Sequence, residues 1–237
     1  MILVDELKLC FVQIPHTAST TFGNDLIDNY GGRHVLSKHS YLHELNAKLP
    51  EVYNSYCVVG CVRNPLDDRL SAYAKLKTNH MGLYEGNLID PGANKGGWLS
   101  RKRRQRILHE NLSFDTFIRE TSRYPFVSPI SIHQARYDKI FRFETIASEY
   151  KALMEQLTGR AIVLPEKGNQ TLERGIDFLD SYTPSALAVA ESALKPFMLE
   201  FDFPLPAAWS GSLTAIEVQR YKVAKFLKKQ WWAFKVK

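Results

Sequence analysis

The sequence predicts an α/β protein, a three-layer arrangement in which a central parallel sheet is flanked by helices. Three observations predict it. Short apolar runs of strand length recur at residues 8–14, 56–62 and 137–143, each followed by a stretch with helical periodicity. These runs are near-continuously apolar, as strands covered on both faces require. The first two lead straight into polar turns, one rich in hydroxyls and one reading Arg-Asn-Pro, before their helices begin. Residues 1–206 form the expected domain, and residues 207–237 a basic, aromatic helical extension packed on it.

The elements follow in order. Residues 8–14 are the first strand, closed by Pro15. A helix over 20–30 stops at Gly31-Gly32, where a left-handed cap suits glycine. Residues 34–36 read as a short strand, Lys38-His39-Ser40 precedes a helix over 42–49, and Pro50 marks a turn. Residues 56–62 are the second buried strand. Pro65 then opens a helix running to about 77, with Leu70, Tyr73 and Leu76 on one stripe. Between 78 and 100, Gly82, Gly86, Pro91, Gly92, Gly96 and Gly97 indicate a long loop. The run RKRRQR at 101–106 reads as a solvated helix face. If the loop before it closed over an acceptor, the run would steer an anionic glycan. A helix over 113–119 follows. Residues 137–143 are the third strand, and a helix over 144–158 is capped by Glu144 and ended by Gly159. Residues 162–164 read as a further strand, and Thr183-Pro184 opens a helix to 197. In the tail, Val223, Leu227, Trp231 and Phe234 recur at helical spacing among lysines and are expected to pack back on the domain. Such a basic amphipathic helix also permits membrane contact.

Composition narrows the function. Hydrophobic content of 45% and charged content of 24% are those of a globular chain, and the net charge of +6 favours anionic ligands. Neither basic run is interleaved with aromatics as RNA-binding modules are, so nucleic acid is not an expected partner. No apolar stretch is long enough to span a bilayer, and the first residues lack a basic leader. A cytoplasmic location is therefore expected, although an excised luminal domain would read the same way. Cys57 and Cys61 share a strand about 13 Å apart, beyond disulfide reach, and with Cys10 they read as buried thiols. No metal-ligand spacing surrounds them, and no metal is expected.

The chemistry resides in the two turns. Residues Pro15, His16, Thr17, Ala18, Ser19, Thr20 and Thr21 lie where a helix should begin, with its unpaired N–H groups and the positive end of its dipole. Arg63 offers a guanidinium fork, and Ser71 a hydroxyl eight residues on. Two anion sites fit a doubly phosphorylated nucleotide. The first loop lacks the GxxxxGK[ST] pattern and a strand-end magnesium aspartate, which disfavours a nucleotide kinase or hydrolase. Taken alone, it also reads as an ordinary Ser/Thr-rich helix cap.

Together, IPHTASTTF (14–22) and VRNPLDDRLSAY (62–73) resemble the two nucleotide-binding signatures of sulfotransferases that use 3′-phosphoadenosine 5′-phosphosulfate (PAPS). The carbohydrate and bacterial branch, with Pro-Lys-Thr-Gly-Gly-Thr-Ser and Arg-Asn-Pro, is the most similar. Phe141-Arg142-Phe143-Glu144, Asn169-Gln170-Thr171 and the stretch from Tyr182 to Phe203 resemble later family features. The resemblance runs from Leu7 to Phe203. It implies a P-loop nucleotide-kinase-like fold and sulfuryl transfer from PAPS, with PAP as product, to a hydroxyl or amine of a carbohydrate or small molecule. It further implies that the backbone of Thr17 to Thr20, with Thr20 and Thr21, holds the 5′-phosphosulfate, and that Arg63 and Ser71 hold the 3′-phosphate. His39 stands where related enzymes carry a Lys-His element and is the candidate base, with His43 and Glu44 as rivals nearby. The chain departs from the pattern at His16, which occupies the position of the family's loop lysine. Nearby anions would favour its charged form, which would let it do the lysine's work. Otherwise the chain is a silent PAP- or glycan-binding relative. Ala18 and Ser19 replace the family's loop glycines.

Overall fold

The computed structural model describes residues 1–84, 98–164 and 178–236. Two compact units interleave along the chain: residues 1–64, 127–169 and 219–237 form the first, and residues 65–126 and 170–218 the second. The strands are β1 (Ile2–Val4), β2 (Leu9–Phe11), β3 (Arg33–His34), β4 (Cys57–Val62) and β5 (Lys139–Arg142). The helices among the described residues are α1 (Ser19–Tyr30), α2 (Leu42–Lys48), α3 (Pro50–Ser55), α4 (Pro65–Thr78), α5 (Trp98–His109), α6 (Phe114–Thr121), α7 (Pro129–His133), α8 (Ile146–Thr158), α9 (Pro184–Glu200) and α10 (Ala215–Val236).

The first unit holds the whole sheet, in the order β3-β1-β2-β4-β5. Its core is parallel: Phe11 lies opposite Val59, and Cys61 opposite Phe141. Its edge is antiparallel, because the opening residues form a hairpin with β2 that pairs Leu3 with Cys10. Three apolar residues at the chain's start give too short a run to be read as a strand; the turn at Lys8, in the left-handed region at φ 45°, makes them one. Side chains alternate across β4 as the pleat dictates. Val59 and Cys61 pack with Phe22 and Leu26 of α1 and Tyr150, Leu153 and Met154 of α8. The other face carries Gly60, where an added Cβ would lie 2.7 Å from the Tyr137 ring. Tyr137 is buried, so this strand glycine exists to admit an aromatic ring. The Tyr150 hydroxyl donates to the buried Asp25 carboxylate and joins α8 to α1.

Local signals behave as expected at most ends. Gly31 and Gly159 close α1 and α8 in the left-handed conformation. At Pro50 the chain does not merely turn. The proline is the first residue of α3, a position where its missing N–H is no loss. Residues 162–164 are not a strand: Ile162 enters the core cluster while Val163 is exposed, so one anchor side chain rather than a ladder holds them. Glu144 does not cap α8. Its carboxylate accepts the backbone N–H of Asn64 at 3.1 Å, fastening the turn after β4. The thiol of Cys10 is pushed up to about 12 by burial and stays protonated.

In the second unit α4, α6 and the segment leading into α9 share an aromatic cluster of Tyr73, Phe114, Phe117 and Tyr182. Ser113 and Thr183 cap α6 and α9 with their hydroxyls. The expected solvated face at 101–106 is largely structural instead. Arg101 is buried, Arg104 donates to the Leu76 carbonyl at the end of α4, and Arg106 pairs with Glu120 at 2.6 Å. The Arg104 and Arg106 guanidiniums satisfy backbone and carboxylate oxygens in their own unit, while Lys102 stays exposed. Residues 169–171 and most of the glycine-rich loop lie outside the described residues.

Gly60→Ala is expected to lower unfolding free energy by about 1–3 kcal/mol, because the added Cβ would overlap the buried Tyr137 ring. Urea denaturation checks this through a lower midpoint at an unchanged slope.

Candidate active site

Parallel pairing of β2 and β4 sends their C-terminal turns out at the same edge of the sheet. Past β2, Val12 still donates to Val59 at 2.8 Å, and Ile14 donates back to Val12 as the chain turns. The turn is then wound on one carbonyl. Thr17 Oγ1 and Ser19 Oγ both donate to the Ile14 oxygen, at 2.8 and 2.9 Å. Gln13 Nε2 donates to the Ser19 carbonyl at 3.0 Å from beneath. Gly23 makes room for this amide, since a Cβ there would come within 2.6 Å of it. His16 and Ala18 take left-handed backbone angles, at φ 65° and 54°.

This settles what the hydroxyl-rich loop is not. A Ser/Thr-rich helix start would ordinarily use a side-chain oxygen as its cap. Here the N-cap of α1 is Ala18, with no side-chain cap bond and no acid in the first turn. Thr17 and Ser19 are buried and committed to Ile14. The Thr21 N–H is taken by the Ala18 carbonyl at 3.0 Å, whereas the N–H groups of Ser19 and Thr20 precede the first intrahelical bond and leave the positive end of the dipole open to an anion.

Basic side chains from three segments meet this loop. His16 is exposed on it. Arg63, at the end of β4, donates to the His16 carbonyl at 3.1 Å, and its guanidinium lies 4.3 Å from the centre of the Phe143 ring. Lys38 donates to Thr20 Oγ1 at 2.9 Å, which leaves the Thr20 proton available for another acceptor. Beside it, His39 Nδ1 is 2.8 Å from the Gln13 carbonyl. A carbonyl only accepts, so Nδ1 carries the proton and Nε2 carries the lone pair of the neutral ring. Partial burial holds the His39 pKa below its ordinary value. The Gln13 bond opposes this, and the Lys38 charge reinforces it.

The sequence-derived residues of the first unit therefore fall in one neighbourhood: the loop from Pro15 to Thr21, Arg63 and His39. The rival His43 does not join them. Its ring neighbours are Tyr41 and His133, at 6.0 and 6.2 Å. Glu44 is engaged by the Ser40 hydroxyl at 2.9 Å. Ser71 belongs to the second unit. It is fully buried there, with a hydroxyl that has no hydrogen-bond partner among the described residues. Sequence reading assigned nothing to Lys38 or Gln13. The pairing of Lys38 with His39 was the available signal for the first; Gln13, read as an ordinary residue of a buried strand, carried none. Among the described residues no three His, Cys, Asp or Glu side chains gather as a metal site.

A family model described as the sulfotransferase family matches residues 1–201. The chain belongs to the sulfotransferase family. Its general chemistry is therefore transfer of a sulfuryl group, and the matched span covers both turns of the site. No curated protein and no solved structure gives a match to this sulfotransferase.

Thr17→Val and Ser19→Ala should each cost about 1 kcal/mol of stability, because each removes a buried bond to Ile14. Thr20→Val, at a surface hydroxyl, should stay within about 0.5 kcal/mol of the parent. Chemical denaturation of the three variants distinguishes the loop's scaffold hydroxyls from its open one.

Proposed function

We propose that this sulfotransferase uses PAPS as donor and transfers its sulfuryl group to a hydroxyl or amine of a carbohydrate or small molecule. The observation that carries the reading is the uncapped start of α1, whose neighbouring hydroxyls are turned inward while Lys38 and Arg63 reach the loop. The donor's 5′-phosphosulfate suits the amides of Thr17 to Thr20 and the hydroxyls of Thr20 and Thr21. Its 3′-phosphate suits Arg63, a role that the family resemblance also gives to Ser71.

In this reading the acceptor oxygen attacks sulfur in line, and the bond from sulfur to the 5′-phosphate oxygen breaks with its electron pair leaving on PAP. The acceptor proton passes to His39 Nε2, the free face of a ring already oriented by Gln13. Positioning and charge stabilisation supply most of the acceleration. Lys38 answers the departure at His16. It brings a full positive charge to the hydroxyl end of the loop, where the family's own loop lysine is missing.

Binding and turnover are tested separately. PAP should raise the melting temperature, with about 2.7 kcal/mol of stabilisation at one hundred times its dissociation constant. Arg63→Ala should weaken that binding by roughly tenfold or more. A melt shifted by ATP and by neither PAP nor PAPS would overturn the reading. His39→Ala should keep PAP binding and lower turnover of labelled PAPS by about 10²–10⁴-fold. Because burial keeps the His39 pKa below the usual 6.5, kcat/KM should fall as the ring protonates, with the midpoint of that fall below pH 6.5. The silent-relative reading predicts an inert parent that gains activity on His16→Lys; the Lys38 role predicts an active parent that loses activity on Lys38→Ala.

A further inference from the structure

α10 lies beyond the family match, which ends at residue 201, and neither the site nor the fold explains its outer surface. One side of the helix holds it to the first unit. Tyr221 is buried, the Trp232 ring lies 4.6 Å from Tyr41, and Lys228 donates to the Val127 carbonyl at 3.0 Å. The stripe expected to pack back does not. Val223 is 45% exposed, Leu227 60%, Trp231 56% and Phe234 74%, and Phe226 joins them at 59%. The physical reason is that α10 has two apolar sides. Tyr221 and Trp232 form the anchoring one, which leaves Val223, Phe226, Leu227 and Phe234 within about 100° of one another on the other. Lys222 and Lys229 border this stripe on one side and Arg220 on the other, and all three are exposed.

Charge decides what such a surface fits. Residues 219–237 carry seven Lys and Arg and no Asp or Glu, whereas residues 1–218 carry 24 Lys and Arg against 25 acids. The protein's entire positive excess is therefore concentrated in its last 19 residues, most of which lie in α10. A second copy seated on the stripe would oppose two such helices, an arrangement that like charges disfavour. An anionic bilayer satisfies both features, since acyl chains take the Leu, Val and Phe side chains and headgroups take the bordering cations. No described helix is long and apolar enough to cross a membrane, so contact would be from the surface.

We propose that α10 docks the protein on anionic membrane surfaces, its outer apolar stripe entering the headgroup boundary. The test is co-sedimentation of the full chain with vesicles of phosphatidylcholine alone or mixed with phosphatidylserine. Binding to the mixed vesicles should exceed binding to the neutral ones by about tenfold or more and should fall with added salt. Leu227→Gln with Phe234→Gln should abolish binding. Lys222→Glu with Lys229→Glu should lower binding to anionic vesicles by about tenfold or more while sparing any residual neutral binding. All four positions are exposed, so circular-dichroism melts of the variants should match the parent. Failure of the parent to sediment with anionic vesicles at low salt would overturn the proposal. Equal binding to neutral vesicles would also overturn it, as would a concentration-dependent dimer that the Leu227 and Phe234 changes dissolve.

Discussion

The parallel pairing of β2 with β4 is the constraint on which the site depends. Two strands side by side in the same direction end at the same edge, so the turns that follow them emerge as neighbours although nearly fifty residues separate them in sequence. Arg63 touches the His16 carbonyl for that reason alone. The antiparallel hairpin of β1 and β2 does something different. It closes the other side of β2 and keeps that strand internal to the sheet, covered by α1 and α8 on one face. Seven residues carry the chain from β2 to α1, and within them the loop hydroxyls satisfy the carbonyl of the buried Ile14.

The electrostatics of the loop follow from this geometry. Had Thr17 or Ser19 capped α1 from its side chain, the helix start would be satisfied and the dipole partly neutralised. Instead the hydroxyls are spent on Ile14, an alanine occupies the cap, and cations arrive from separate segments. The loop therefore does not depend on His16 alone for a basic side chain, because Lys38 comes from the segment after β3 and reaches Thr20. Each contributor is held by its own element, a form of preorganisation that does not rely on one flexible side chain.

Much of this was legible in the sequence where a local rule governs it. The glycine stops of α1 and α8, the Thr183-Pro184 start of α9 and the buried run of β4 all follow from residue-level chemistry. The site was legible through its order and spacing: a hydroxyl-rich turn after one strand and Arg-Asn-Pro after the next. What stayed hidden depends on partners distant in the chain. Ile2–Val4 becomes a strand only because β2 and β3 pair with it, and Ile162 looks like a strand residue because the core needs one side chain there. The arginines of α5 read as solvent-facing because nothing local reveals the carbonyls and carboxylates they meet. The periodicity of α10 identified a helix with an apolar stripe but not which of its two aromatic sides would be covered.

Gln13 ties two segments together. Its backbone carbonyl holds the His39 ring, and its side-chain amide holds the Ser19 carbonyl under the loop. The His39 ring and the loop from Pro15 to Thr21 therefore share a single mount, and their separation is governed by the bond lengths and torsions of one buried residue. Slack elsewhere in the molecule moves both together and leaves their spacing intact.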